Sequence, residues 1–449
     1  MKQLPRFAFL FLAIISVNYA NAQFNGDENK WSINDCFKYA EEHNIQVSTL
    51  RLNEQSSLQD LMASKAERIP NLSATVGNTF NNANNNIDGN GKLLNQLTNS
   101  GNYTLNSSLI LWNGNYINNT IRQRELLSQS ARLSIDESIN NITLLITQAF
   151  LDILLAKENL TYINDLVNAS AARVTQGQMF YDAGSIAKKD LLQLQAQLAS
   201  DKYLLVQTQN AIRQNILSLK QILQLPTSAE FDIATPDSVS VAPELIPLSE
   251  VQQTALRDFP EIKISQLDVN IASLDIARAK AGFKPVLSAN AALGSGYSDV
   301  FTNSVLPKTN LFTQTGRNFY QRLGWTLSIP IFSNRINQTN LEKANIGFRV
   351  ANLNLQNSEL SLSQAVEQAY LNAENAMHSY DAANQQLAFA TESYRIENEQ
   401  FKLGGSNTYD LLQQRNQYIQ AVQAFTQAKY SAVLQQKIYE FYMGKPVTL

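Results

Sequence analysis

Residues that could do chemistry are few in this chain. It has two histidines, His43 and His378, and one cysteine, Cys36. The histidines stand in unrelated helical contexts, with no spacing that would build a metal site. Glu41-Glu42-His43 reads as a solvated helix end rather than a ligand set. Gly89-Asn90-Gly91-Lys92 lacks the preceding strand, the spacing and the Ser/Thr of a phosphate-binding loop. Gly294-Ser295-Gly296 ends a strand and is not a nucleophile elbow. With Cys36 isolated there is neither a Cys/His pair nor an internal disulfide. No catalytic set, metal or cofactor is expected, and the chain does not read as an enzyme.

What remains are two aspartates, Asp190 and Asp410, each in the same local setting. Tyr181-Asp182-Ala183-Gly184-Ser185-Ile186-Ala187-Lys188-Lys189-Asp190-Leu191-Leu192-Gln193 returns 220 residues later as Phe401-Lys402-Leu403-Gly404-Gly405-Ser406-Asn407-Thr408-Tyr409-Asp410-Leu411-Leu412-Gln413. An aromatic residue ends a long helical run, and a glycine follows three positions on. Glycine enters the left-handed region without a Cβ penalty and so suits the residue after a helix. The aspartate then falls in the first turn of the next helix, where the helix dipole favours negative charge. Each copy reads as the tight bend of an antiparallel helical hairpin.

The rest of the chain must position these bends. It has 449 residues, 16% of them charged, a net charge of −3 and a pI near 5.6. Nothing in that balance suggests nucleic acid as a partner. Lys2 and Arg6 precede an apolar run, Phe7 to Val17, that ends in Ala20-Asn21-Ala22. This pattern describes a secretory signal peptide over 1–22, and the apolar run is too short to anchor the chain as a helix. No cysteine follows the cut, so no lipid attachment is expected there. No later segment reads as a run of about 20 apolar residues, so any membrane span should be made of strands.

The mature chain is a duplication. Leu248 to Ile262 aligns on Ile33 to Val47 at a shift of 215, and Pro285 on Pro70. Beyond the segment 81–101 the shift is 220: Ile331-Phe332 meets Leu111-Trp112, and Gln368-Ala369-Tyr370-Leu371 meets Gln148-Ala149-Phe150-Leu151. The first repeat spans 23–226, with a β-hairpin over 72–112 and a long helical hairpin over 114–225. A linker at 227–247, with Pro236, Pro243 and Pro247, should hold little helix. The second repeat, 248–449, places its β-hairpin at 286–331 and its helical hairpin at 334–444. Each repeat opens with a helix (about 33–68 in the first) that stops before a proline.

Four strands alternate cleanly. Leu72, Ala74, Val76 and Phe80 oppose Ser73, Thr75, Gly77 and Thr79, and Tyr103, Leu105, Leu109 and Leu111 oppose Thr104, Asn106 and Ser108. Leu287, Ala289, Ala291 and Leu293 oppose Ser288, Asn290 and Gly294. Phe319, Leu323, Trp325, Leu327, Ile329 and Ile331 oppose Tyr320, Arg322, Thr326 and Ser328. Strands of roughly ten residues with one apolar face suit a membrane β-barrel wall; a soluble sheet with one face on a helix is the other reading. The connections, Asn81 to Asn102 and Ser298 to Asn318, read as long polar loops and favour the barrel. Four strands cannot close one, since about eight is the practical minimum, and open edges are not tolerated in lipid. The chain must pool strands with copies of itself.

The run from Gly114 to Phe180 would reach roughly 100 Å as a helix. The first helix of the repeat and the returning helix (about 188–224) are each roughly half that length, so end to end they match it. A soluble coiled-coil rod would explain the helices alone, but not the alternating strands.

Together these features resemble the outer-membrane efflux protein (TolC-like) family. The likeness rests on the duplicated helix–strand–strand–long helix–helix order, the Ile331-Phe332-Ser333-Asn334 strand exit and the Gly-to-Asp bends at 184–190 and 404–410, and it covers nearly all the mature chain. The resemblance implies a mainly α fold with membrane β: a homotrimer forming a 12-stranded β-barrel, four strands per protomer, continuous with a long α-helical barrel in the periplasm. It implies an outer-membrane exit duct of a tripartite efflux or type I secretion system, a passive conduit served by an inner-membrane pump through a periplasmic adaptor. Gly184, Asp190, Phe401, Gly404, Ser406, Asp410 and Gln413 would then form the periplasmic tip, its gate and the adaptor contact. The family's gate tyrosine and arginine positions hold Phe401 and Ser406 here. Asp410 matches the first of the family's two gate aspartates, Gln413 occupies the second, and Asp190 matches the aspartate of the first bend. A ring of Asp410 carboxylates is the expected constriction, with N-terminal helix stabilisation as the other role open to both aspartates. A non-conducting periplasmic coiled-coil scaffold or adhesin is the alternative from another class.

Overall fold

A computed structural model of the chain describes residues 30–87, 93–236, 239–301 and 310–448. The expected signal peptide and the Gly89-to-Lys92 stretch lie outside them. The first repeat runs β1 (Lys30–Trp31), α1 (Ile33–His43), α2 (Ile45–Ala66), β2 (Ser73–Ile87), β3 (Leu93–Trp112), α3 (Tyr116–Asp182) and α4 (Lys188–Ile222). After β4 (Asp232–Ile233) the order returns as α5 (Leu248–Asp258), α6 (Pro260–Ala281), β5 (Val286–Val300), α7 (Leu311–Arg317), β6 (Tyr320–Ser328), α8 (Ile336–Lys402) and α9 (Thr408–Phe441). The two long helices, α3 and α8, have 67 residues each, and at about 1.5 Å per residue each reaches roughly 100 Å.

The helix expected over about 33–68 is two helices. Asn44 leaves the helical region (φ −65°, ψ 127°), and its Oδ1 accepts from the N–H groups of Gln46 (2.8 Å) and Val47 (3.3 Å), capping α2. In the second repeat Phe259 breaks the run in the same way (φ −67°, ψ 136°), because Pro260 disfavours a helical residue before it and suits the first helical position. The start of α1 is fixed by a reciprocal pair. Ser32 N–H donates to Asp35 Oδ2 at 2.9 Å, and Asp35 N–H donates to Ser32 Oγ at 3.2 Å.

The four long strands form one antiparallel sheet in the order β2-β3-β5-β6. Each runs into a helix: β2 follows α2, β3 leads into α3, β5 follows α6 and β6 leads to α8. The helices beside them pack in the matching order α2-α3-α6-α8. Lower down, α4 lies along α3 and α9 along α8, with α3 against α9. The half-length helices thus share the flank of each long one, as the length argument required.

The strands depart from expectation in length. β2 and β3 have 15 and 20 residues and absorb most of the stretch expected as a loop, with Asn81 paired to Thr98 and Asn82 to Leu97. Ladder pairing overrides the poor strand propensity of asparagine. The second connection is also partly structured, since β5 runs to Val300 and α7 follows; 302–309 lie outside the described residues. β6 ends at Ser328, so Ile329 and Ile331 lie beyond the strand. A register shift between Ile110 and Trp112 leaves Leu111 out of the ladder and pairs Trp112 with Leu287.

Two cores anchor the helices, and they are repeat equivalents. Cys36, Ala40, Ile146, Ala149 and Leu219 of the first become Val251, Ala255, Val366, Ala369 and Tyr439 of the second. The linker holds little helix, as expected, but β4 pairs in parallel with β1 and buries Ile233 in the first core. Val447, at the other end of the chain, packs there too. The repeats are therefore interlocked. Part of α3 is long and apolar enough to cross a bilayer, contrary to the expectation of no such run. Its Ile146, Phe150, Leu151, Ile153 and Leu154 are instead buried core.

Candidate functional site

The two bends are built alike. At the first, Gly184 has φ +74°; its N–H donates to Tyr181 O (2.9 Å), and Ser185 N–H donates to Phe180 O (2.8 Å). At the second, Gly404 has φ +75°, with Gly404 N–H to Phe401 O at 3.1 Å and Gly405 N–H to Gln400 O at 2.9 Å. The paired bonds satisfy carbonyls that the helix end leaves open, and the left-handed step they require explains the glycine. Just above the first bend, Gly177 lets Leu194 close on α3, since a Cβ there would lie 2.6 Å from Leu194 Cδ1.

Both aspartates stand in the first turn of the returning helix. Asp190 Oδ2 accepts from Ala187 N–H at 3.3 Å. Asp410 Oδ2 accepts from Asn407 Nδ2 at 2.7 Å, while Asp410 N–H donates to Asn407 Oδ1 at 3.0 Å. Helix-end stabilisation is thus present at both, and it leaves one Asp410 oxygen without a bond among the described residues. Ser406 Oγ donates to Glu397. A polar groove of about 580 Å³ runs over this bend, lined by Glu397, Ser406, Asn407, Asp410, Gln413 and Gln414 among others. Gly404 lines it as well, Phe401 ends the helix that leads into the bend, and Gly184 and Asp190 belong to the other bend.

Sequence reasoning missed the seam that ties the two hairpins together above the bends. Arg415 of α9, Asp201 of α4 and Ser170 of α3 are all buried. Arg415 Nη2 donates to Asp201 Oδ2 and, at 2.8 Å, to Ser170 Oγ, while Ser170 Oγ donates to the same carboxylate. Gln197 Nε2 fills the other carboxylate oxygen at 2.9 Å. Nearby, Arg173 of α3 donates to Tyr394 OH and to Asn398 Oδ1 (3.1 Å) on α8. Tyr394 stacks on Tyr418 at 5.3 Å, and Tyr418 meets Tyr162 edge-on at 6.2 Å. Burial, and then Tyr418, push the Tyr162 phenol well above its ordinary pKa. A signal existed. At the shift of 220, Asp201 aligns with Ala421 and Arg415 with Gln195, so each charge appears in one repeat only.

The sheet and the outer helices carry a different surface. In register, Val76, Tyr103, Leu105, Leu293, Leu323, Trp325 and Leu327 share one face. Leu323 and Trp325 are 85% and 73% exposed. The opposite face carries Thr75, Thr104, Asn106, Asn290, Arg322 and Thr326. Among the described residues both sheet edges, β2 and β6, are unpaired and no closed sheet forms. The flanks of the helical layer below are apolar too: Ile45, Leu52 and Met62 on α2, Tyr203 and Val206 on α4, and Ile346, Leu353 and Phe389 on α8 are exposed.

Residues 251–438 match the family model described as outer membrane efflux protein. No curated protein is matched by the sequence. Among solved structures, the chain is similar to CusC, with 15% identity and a TM-score of 0.77 over 92% of each chain. It is similar to the CmeC outer membrane channel of Campylobacter jejuni, with 17% identity and a TM-score of 0.75 over 93% of this chain and 86% of that one. The outer membrane protein VceC of Vibrio cholerae shows 14% identity and a TM-score of 0.75, covering 92% and 96%. The likeness to the outer membrane efflux protein family therefore holds for residues 251–438, and nearly the whole chain shares the fold of these solved structures.

Proposed function

We propose that this chain is one protomer of an outer-membrane efflux channel. The observation that carries the reading is the sheet: apolar on one face, polar on the other, open at both edges, and continuous with a helical layer roughly 100 Å long. Open edges in hydrocarbon leave backbone groups unpaired at several kcal/mol each, so β2 of one copy must pair with β6 of the next. Three copies would close twelve strands, and the exposed apolar flanks of α2, α4 and α8 would be covered by the same contacts. The helices extend the polar lumen through the periplasm to the bends, where Asp410 carboxylates would ring the constriction. Gly184, Asp190, Phe401, Gly404, Ser406 and Gln413 would complete the tip that an adaptor engages, with an inner-membrane pump supplying the energy and the channel conducting passively.

The test is extraction of the full chain in detergent, followed by planar-bilayer recording. A heat-modifiable trimer that conducts is the expected result. A water-soluble monomer, or a trimer that never conducts, would overturn the reading, the second outcome in favour of a scaffold or adhesin.

A further inference from the structure

The boundary between sheet and helices has a charge pattern of its own. In the four segments where strands meet helices (65–72, 113–119, 278–285 and 329–340) there are six basic residues and one acidic residue, Glu67. The whole chain has 35 basic against 38 acidic residues, so the excess is local. Five of the six, Lys65, Arg68, Lys280, Lys284 and Arg335, are exposed, and none of the five forms an ion pair among the described residues. The sixth, Arg278, is held inside by Asp275, Gln123 and Tyr116. Exposed apolar side chains interleave with the five: Ile69, Leu72, Phe283, Ile331 and Phe332, the last two 94% and 84% exposed.

We infer that this collar binds the anionic phosphodiester headgroups of the phospholipid leaflet on the helical side of the membrane. The inference rests on the reading that the sheet lies in a bilayer. Ile69 and Leu72 precede β2, Phe283 precedes β5, and Ile331 and Phe332 follow β6, so on that reading the five cations fall where hydrocarbon gives way to headgroups. Lysine and arginine at that depth extend their stems along apolar surface and leave the charge at phosphate level. Each adds attraction to anionic lipid near the surface, which salt screens. In a trimer the collar repeats three times. The collar would fix the depth and tilt of the sheet.

The experiment uses the purified full chain in detergent, delipidated and mixed with phosphatidylglycerol or phosphatidylcholine. Native mass spectrometry reads the retained lipid, and thermal unfolding reads the stabilisation. The wild type should retain phosphatidylglycerol over phosphatidylcholine by roughly tenfold or more at low salt, a preference that 0.5 M NaCl removes. Inorganic phosphate at the same concentration should change nothing. The variant carrying Lys65→Gln, Arg68→Gln, Lys280→Gln, Lys284→Gln and Arg335→Gln should retain both lipids equally. The milder pair Lys280→Gln and Lys284→Gln should show a reduced preference if the full variant does not assemble, and Lys280→Arg with Lys284→Arg should keep the wild-type ratio. Equal retention by the wild type, an unchanged ratio in the variants, or displacement of lipid by phosphate alone would overturn the proposal and leave the channel reading standing. A chain that takes up neither lipid would overturn both.

Discussion

Arg415 and Asp201 form an ion pair in which the side chains are 2% and 4% exposed, joining the returning helix of one hairpin to that of the other. Ser170 of α3 bonds to both partners. A buried pair gains little over a well-packed apolar pair, because desolvating both charges offsets their attraction, but losing one partner leaves an uncompensated buried charge. Arg415→Met and Asp201→Leu, made singly, should each destabilise by about 3–5 kcal/mol, and the double variant should recover much of that loss. Chemical denaturation of the detergent-solubilised protein measures the cycle. Additive single losses would show that the pair acts as two independent groups.

Asp410 tests the tip. Its carboxylate bonds to Asn407 Nδ2 within its own helix turn, and the ring proposed for the assembled channel would give it a second role. Asp410→Asn should lose most of the cation preference in bilayer recordings while the trimer persists. Equal cation preference in both proteins would leave Asp410 as a helix-end residue only.

Cys36 should be silent toward thiol reagents in the native protein. It is fully buried in the first core, and burial, with Asp35 adding to it, pushes its pKa up to about 12. The thiolate is the reactive species, so maleimide at pH 8 should label the folded chain negligibly and the denatured chain with a stoichiometry of one. Fast labelling of the native protein would show that this core opens.

Glu137, on α3 outside the sheet, has its pKa raised above 4.5, first by burial and then by the Glu261 carboxylate. The native state therefore holds a proton that the unfolded state has released, and stability falls as pH rises from about 4.5 through the native pKa. Glu137→Gln should raise the melting temperature at pH 7 and flatten its decline between pH 4.5 and neutrality. A pH profile parallel to the wild type would assign that decline to other groups.

How far the chain was legible varies with the range of the interaction. The bends were readable residue by residue, since Gly184 and Gly404 answer a backbone demand set within six residues. The break at Asn44 was missed even though its cap is local, because asparagine is tolerated inside many helices and Pro260 marks only the second copy. The Asn81-to-Asn102 segment misled for a different reason: its composition favours loops, and only the partner strand makes it a ladder.

The amino-acid order alone determined the duplication, the two hairpin bends and the alternating faces, because each follows from short periods or from a repeat legible along the chain. The tertiary structure alone decided the order β2-β3-β5-β6, the interlocking of the cores by Ile233 and Val447, and the Arg415–Asp201 seam. Those contacts join residues far apart in the chain, and their energy comes from burial and desolvation, which no local pattern records.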